Sequence, residues 1–183
     1  MKSQKESDAV KRTIYVVLFA SFAGVSAMQA QNLSPVVTQV KQAYESVKNN
    51  STKSAEKVPD EDYSFKPTPE IRSFAEVMGH VVAAQTHTCG AITGAQSSAH
   101  PKLETKAEIV SALMDAFAEC DKAYDSLTEA NATEMVKTGR GERTRIGALI
   151  GNTTHDVEQY AILSVYMRLK GIVPPSSEHS SRK

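Results

Sequence analysis

The chain has 183 residues, no tryptophan and two cysteines, with 21 basic against 21 acidic side chains. That even balance, without a basic-aromatic stripe, lacks the electrostatic footprint of a nucleic-acid-binding protein. The length suits one domain that buries roughly two-thirds of its unfolded surface.

Residues 1–27 read as a secretory signal peptide. A start carrying Lys2, Lys5, Lys11 and Arg12 precedes the apolar run TIYVVLFASFAGVSA, and Val25-Ser26-Ala27 supplies small residues for cleavage. The run is too short for a spanning helix; the alternative is an uncleaved N-terminal anchor. Cleavage after Ala27 removes four basic and two acidic residues, leaving 17 basic and 19 acidic in 156. The expected localisation is therefore export, periplasmic or secreted, with no stable membrane span after cleavage.

Four helical segments follow. The first opens near Ser34 with Pro35 behind it, an N-cap and first-position pair. Its stripe is Val37, Val40, Tyr44 and Val47, and polar Asn49–Lys57 is read as its end. After a loop with Pro59, Pro67 and Pro69, Thr68-Pro69-Glu70 is read as the start of the second helix, which runs to about Gly94 and is rich in small residues. The third opens with Thr105 and Glu108, spaced for a reciprocal capping box. Its stripe is Ile109, Leu113, Ala116, Cys120, Tyr124 and Leu127. A glycine-containing connection, Thr138 to Gly141, precedes the fourth helix, which Gly171 and Pro174-Pro175 terminate. The polar tail 176–183 reads as disordered. No alternating strand pattern and no internal repeat is found. Four amphipathic helices in one domain predict an all-α four-helix bundle.

On the fourth helix Ala148, Asn152, His155, Gln159, Ile162, Tyr166 and Leu169 are spaced 4, 3, 4, 3, 4, 3, one continuous face. Glu158 flanks that face. On the second helix Ser73, Val77, His80, Ala84, His87 and Ala91 follow the same rule. At about 100° per residue His87 lies about 20° from His80, whereas Cys89 lies about 180° away. Polar groups on inward stripes need partners, because each unpaired one costs a few kcal/mol. One reading is a divalent metal held by His80, His155 and Gln159, with positions open to water or substrate. The other is two core histidines hydrogen-bonded to neighbours. A carboxamide oxygen is a poorer ligand than imidazole for zinc or nickel, and imidazole ligands must be deprotonated, so such a site weakens in acid. His87, Glu158, Ala84 and Tyr166 are candidate pocket residues. Export allows Cys89 and Cys120 to form a disulfide; two packed thiols are the alternative.

The segments VPDEDYSFKPTPEIRSFAEVMGHVVAAQTHTCG, Val58 to Gly90, and HDVEQYAILSVYMRLKGIVPPSS, His155 to Ser177, resemble DinB-like proteins (the damage-inducible, YfiT-like superfamily). The resemblance covers roughly residues 33 to 175. It implies a bundle with a long crossover connection and a metal site of three histidines, at His80, at His155 and at the position occupied here by Gln159. Glu158 and Tyr160 match the surrounding pattern; Ala161 stands where glycine is frequent. Characterised relatives include metal-dependent transferases that use small thiols, and thiol-dependent isomerases. Together with the signal-peptide reading, the resemblance implies an exported bundle binding zinc or nickel, or else iron or manganese. Its activity would be a metal-dependent transferase of thiol type or a hydrolase, acting on a small-molecule substrate. A homodimer is among the expected assemblies. Gln159 and the small residues of the second helix motivate an alternative: a metal-free, non-enzymatic bundle that binds a small apolar ligand or a protein partner.

Overall fold

Among the described residues four α-helices carry the fold: α1 (Pro35–Lys57), α2 (Phe74–Thr93), α3 (Lys106–Asp125) and α4 (Arg145–Leu169). The computed structural model describes residues 35–95, 103–139 and 141–178. The segment read as a signal peptide and residues 179–183 of the expected tail lie outside the described residues. Among the described residues no helix is long and apolar enough to cross a membrane.

α1 continues through the polar stretch read as its end. Ser51, Ser54 and Ala55 are buried on the same face as Val37, Val40, Tyr44 and Val47, and Ser54 Oγ donates to the Asn50 carbonyl at 2.8 Å. Ser54 thus satisfies itself on the backbone, whereas Ser51 Oγ is buried without a partner among the described residues; side chains this small let the face stay buried without a large apolar residue. α2 starts later than Thr68. Ser73 is its N-cap, in a capping box with Glu76, and the next two backbone N–H groups donate to the carbonyls of Phe65 (3.1 Å) and Tyr63 (2.9 Å). The preceding loop folds back to take donors that a helix start leaves without partners, and this fixes the start. Gly94, at φ 81°, ends α2 in the left-handed conformation that glycine adopts without penalty. α3 begins with the expected Thr105–Glu108 capping box.

The connection before α4 is not irregular. Strands β1 (Met135–Thr138) and β2 (Gly141–Thr144) form an antiparallel hairpin, with Thr138 opposite Gly141 and Val136 opposite Arg143. Each strand has four residues, too few for an alternation to stand out from loop sequence.

The helices pair as α2 with α3, α1 with α4, α2 with α4 and α1 with α3. α2 and α4 are antiparallel, since His80 meets His155 while Tyr166 near the end of α4 reaches Arg72 before α2. α1 and α3 are antiparallel too: Tyr44 bonds Asp121, and Lys106 bonds the carbonyl of Val58. α2 and α3 run parallel. Cys89 is joined to Cys120 by a disulfide, with Cα atoms 4.9 Å apart, and at the other end Tyr63 lies between Phe74 and Lys106. The order is up-down-down-up, and the crossover is the link between α2 and α3. At the centre Tyr44 stacks on Tyr124 with centroids 3.7 Å apart, among Leu113, Phe117, Leu149 and Leu163. Ser176–Glu178, read as part of a disordered tail, instead close a short 3-10 turn on the bundle. Ser176 bonds the Tyr160 hydroxyl at 2.8 Å and Glu178 pairs with Lys57 at 2.5 Å.

Candidate functional site

The antiparallel packing of α2 on α4 sets turn against turn, and at one level both turns carry histidine. The Nε2 atoms of His80 and His155 lie 2.9 Å apart, with the rings edge to face at a centroid distance of 4.8 Å. Both residues sit at the margin of the interface: His155 is 9 % exposed and His80 half-buried. At hydrogen-bond distance one Nε2 must carry a proton and the other a lone pair. With both deprotonated there, the two lone pairs point into one small space.

Behind His155 stands a residue the helical spacing did not single out. Asp156 is fully buried, and its Oδ1 faces His155 Nδ1 in a long contact of 3.4 Å. Its other carboxylate oxygen accepts from Gln85 Nε2. Burial raises the Asp156 carboxyl above its ordinary range, opposed by His155 and Gln85. Gln85, also fully buried, accepts at Oε1 from Asn152 Nδ2 at 2.5 Å, and that amide lies 3.3 Å from the Tyr124 hydroxyl. Tyr124 donates to the Leu149 carbonyl at 2.8 Å, and burial pushes its hydroxyl up to about 12, keeping it a neutral donor. A continuous polar chain therefore runs from Tyr124 through Asn152, Gln85 and Asp156 to the histidine pair. Cys120 Sγ rests 2.8 Å from Gln85 Oε1, which places the disulfide beside this chain.

A carboxylate on the far nitrogen of a histidine orients the ring and selects its tautomer. Asp156 is placed to hold the proton of His155 on Nδ1, leaving Nε2 as the lone-pair atom. The signal for Asp156 and Gln85 was present in the sequence. Both are polar residues at helical spacing from buried Leu149, Asn152, Tyr160 and Leu163 on α4, and from Val81, Val82 and Cys89 on α2.

On one side of the pair a cavity of about 260 Å³ lies between α2, α4 and the hairpin, lined by His80, Ala84, His87, Arg143, Asn152 and His155 among others. His87, mostly exposed, packs against Gly139 at the hairpin tip. On the other side Gln159, 8 % exposed, lines a separate groove with Val77, Ile162 and Tyr166. Gln159 is one turn from His155, and its Oε1 is buried without a partner among the described residues. Tyr166 belongs to that groove, and its hydroxyl donates to the Arg72 carbonyl at 2.8 Å. Glu158 is exposed. Thus His80, His155, Ala84 and His87 share one cavity; Gln159 and Tyr166 lie one and three turns further along α4; Glu158 faces solvent.

Among the described residues no three His, Cys, Asp or Glu side chains form a group able to hold a metal ion. The donors that fit one are two imidazole nitrogens, with the orphaned Gln159 oxygen a turn away.

A family model for the DinB superfamily matches residues 43–163. Solved structures similar in fold include the following three. A DinB-like protein from Bacillus subtilis is 20 % identical with a TM-score of 0.61, covering 73 % of this chain and 92 % of its own. A protein assigned to the DinB family from Exiguobacterium sibiricum is 18 % identical at 0.59, covering 76 % and 95 %. A DinB-like protein from Bacillus cereus is 15 % identical at 0.60, covering 74 % and 93 %. None of the curated proteins matches the chain.

Proposed function

The chain belongs to the DinB superfamily, and from that premise we propose that it is an exported, divalent-metal-binding bundle that acts on a small molecule, by thiol-type transfer or hydrolysis. The observation that carries this reading is the convergence of His80 and His155 across α2 and α4, Nε2 to Nε2 at 2.9 Å, beside a cavity. Two imidazoles suit zinc or nickel, with iron or manganese as less favoured occupants. The orphaned Oε1 of Gln159 supports a third, weaker donor. A bound ion would supply Lewis acidity and lower the pKa of a thiol or water at its open positions. The protein's own part is then positional. Asp156 fixes the His155 tautomer, Gln85 and Asn152 hold Asp156, and the small side chains of α2 leave room beside the pair. Export is supported by the Cys89–Cys120 disulfide, a bond of oxidising compartments.

A second reading has its own support. The histidines satisfy each other's Nε2 atoms by a hydrogen bond, and the groove lined by Ile71, Val77, Ile162, Val165 and Tyr166 offers about 630 Å³ to an apolar ligand. On that reading the chain is a metal-free binding bundle.

Metal titration of the purified protein separates the two. The first reading expects about one equivalent of zinc or nickel per chain, reduced at least about 100-fold in affinity by His80→Ala or His155→Ala, since even orienting partners of metal-bound histidines are worth roughly 10–100-fold. Gln159→His should bind tighter than the parent. Less than about a tenth of an equivalent after metal-supplemented refolding establishes the metal-free reading instead.

A further inference from the structure

The cavity beside the histidine pair is lined on its hairpin side by a cation, Arg143. Arg143 lies on β2 opposite Val136, and residues directly opposite on an antiparallel pair share a face. Val136 is half-buried, so Arg143, itself exposed, lies on the face of the hairpin that meets the bundle. Its guanidinium rests on α4 where α4 has no side chain: a β-carbon built on Gly151 would meet Arg143 Nη1 at 3.4 Å. The neighbouring Arg145 pairs with Glu134 at 3.2 Å, but no carboxylate among the described residues pairs with Arg143. Glu142, the adjacent acid, sits opposite Lys137 on the other face of the hairpin.

Across the cavity His87 leans on the hairpin tip at Gly139, and Ala84 and Ala148 form apolar wall between them. Asn152 lines the same cavity at 4 % exposure, and its Oδ1 has no partner among the described residues. A guanidinium matches a carboxylate through two parallel N–H donors. An unsatisfied buried acceptor costs about 1–3 kcal/mol until a donor reaches it. The volume, about 260 Å³, lies just below the range of roughly 300–1,000 Å³ usual for small-molecule sites.

We propose that this cavity is the binding site for a small organic carboxylate, its anionic end held by Arg143, its apolar body on the alanine wall toward His87, and a hydroxyl or amino donor offered to Asn152 Oδ1. The inference deepens the metal reading by naming the substrate class of the same cavity, and rests on it only in taking that cavity as the site of action.

The probes are benzoate and its neutral isostere benzamide, titrated into the full chain after passage over a chelating resin, so that a carboxylate cannot bind through an ion. Amide chemical shifts of Gly139 and Gly151 report the location. The expected result is saturable benzoate binding that moves both glycines, at least tenfold weaker in Arg143→Gln, intermediate in Arg143→Lys, which keeps the charge but loses the fork, with benzamide no better than the Gln variant. Unchanged benzoate affinity in Arg143→Gln, equal binding of benzamide, or no saturable binding at all overturns the proposal. Inorganic phosphate binding more tightly than benzoate overturns the choice of carboxylate. Zinc titration of Arg143→Gln, expected to match the parent, keeps the two failures apart. Loss of zinc binding in His80→Ala with benzoate binding intact leaves the carboxylate site standing alone, and the reverse pattern leaves only the metal.

Discussion

Asp156 joins the electrostatics of the candidate site to the stability of the core. Its carboxyl is buried, and desolvation raises its pKa from 3.8, against smaller opposing effects of His155 and Gln85. A raised acid pKa means that the folded state favours the proton. The contribution to stability is therefore complete below pH 3.8 and is lost as pH rises through the folded value. Asp156→Asn removes the charge while keeping an oxygen for Gln85. Relative to the parent, the variant should gain stability progressively above pH 3.8 in urea melts run across a pH series. The same substitution presents an amide donor to His155 Nδ1 and so moves the proton of His155 to Nε2. Zinc affinity should fall by roughly 10–100-fold as stability rises. Variant and parent stabilities that run parallel across the series would show that Asp156 is not desolvated. His80 and His155 were legible from spacing because they sit on the margins of their helices, where a stripe read at 4, 3, 4, 3 remains in phase. Asp156 was not. An ideal helix drifts about 20° per heptad from a strict 3.5-residue repeat, so the stripe drawn through Ala148 leaves the core before it reaches Leu169, which is 60 % exposed.

Among the elements, the helix starts were legible to the degree that they were local. Thr105 and Glu108 satisfy each other within one turn, and the sequence sufficed. Thr68-Pro69-Glu70 carries similar local marks, yet α2 begins at Phe74, because Tyr63 and Phe65 offer carbonyls to its first N–H groups only once the loop has folded back. The cap itself is testable. Ser73 Oγ accepts from the Glu76 N–H at 3.2 Å, and Glu76 accepts from the Ser73 N–H at 2.6 Å. Ser73→Ala should cost about 1 kcal/mol in urea denaturation. Hydrogen bonds from the Ser73 backbone, then Lys66 and the Ser73 hydroxyl, hold the Glu76 carboxyl down at about 2, below its ordinary 4.5. A depressed acid pKa contributes stability that is present above 4.5 and disappears as pH falls through about 2. Glu76→Gln should thus be destabilised at neutral pH and converge with the parent across that acid window. A difference that persisted below pH 2 would assign the effect to lost packing. The hairpin, by contrast, is held by its neighbours: Arg145 and Ile146 donate to the carbonyls of Glu134 and Ala132 at 2.7 and 3.0 Å, contacts that no four-residue pattern encodes.

In the whole molecule, bundle membership follows from the four amphipathic stripes, but helix direction does not, because either direction buries a stripe equally well. The up-down-down-up order is fixed by contacts distant in sequence, and the strongest of them is covalent. Cys89 and Cys120 stand 31 residues apart and join two parallel helices. Closing a loop of that length removes about 3–4 kcal/mol of unfolded-state entropy. For a chain of this size that corresponds to a melting temperature roughly 10 °C higher. Reduction, or the double substitution Cys89→Ala with Cys120→Ala, should lower Tm by that amount while the His80–His155 pair and its cavity persist, since α4, not α3, carries His155. Metal titration and benzoate binding measured well below the melt should accordingly change less than about threefold. If reduction abolished both while leaving helical content intact, the disulfide would be holding Gln85, and through it Asp156 and His155, in place. The 2.8 Å contact between Cys120 Sγ and Gln85 Oε1 would then be the link by which the redox state of the compartment sets the geometry of the site.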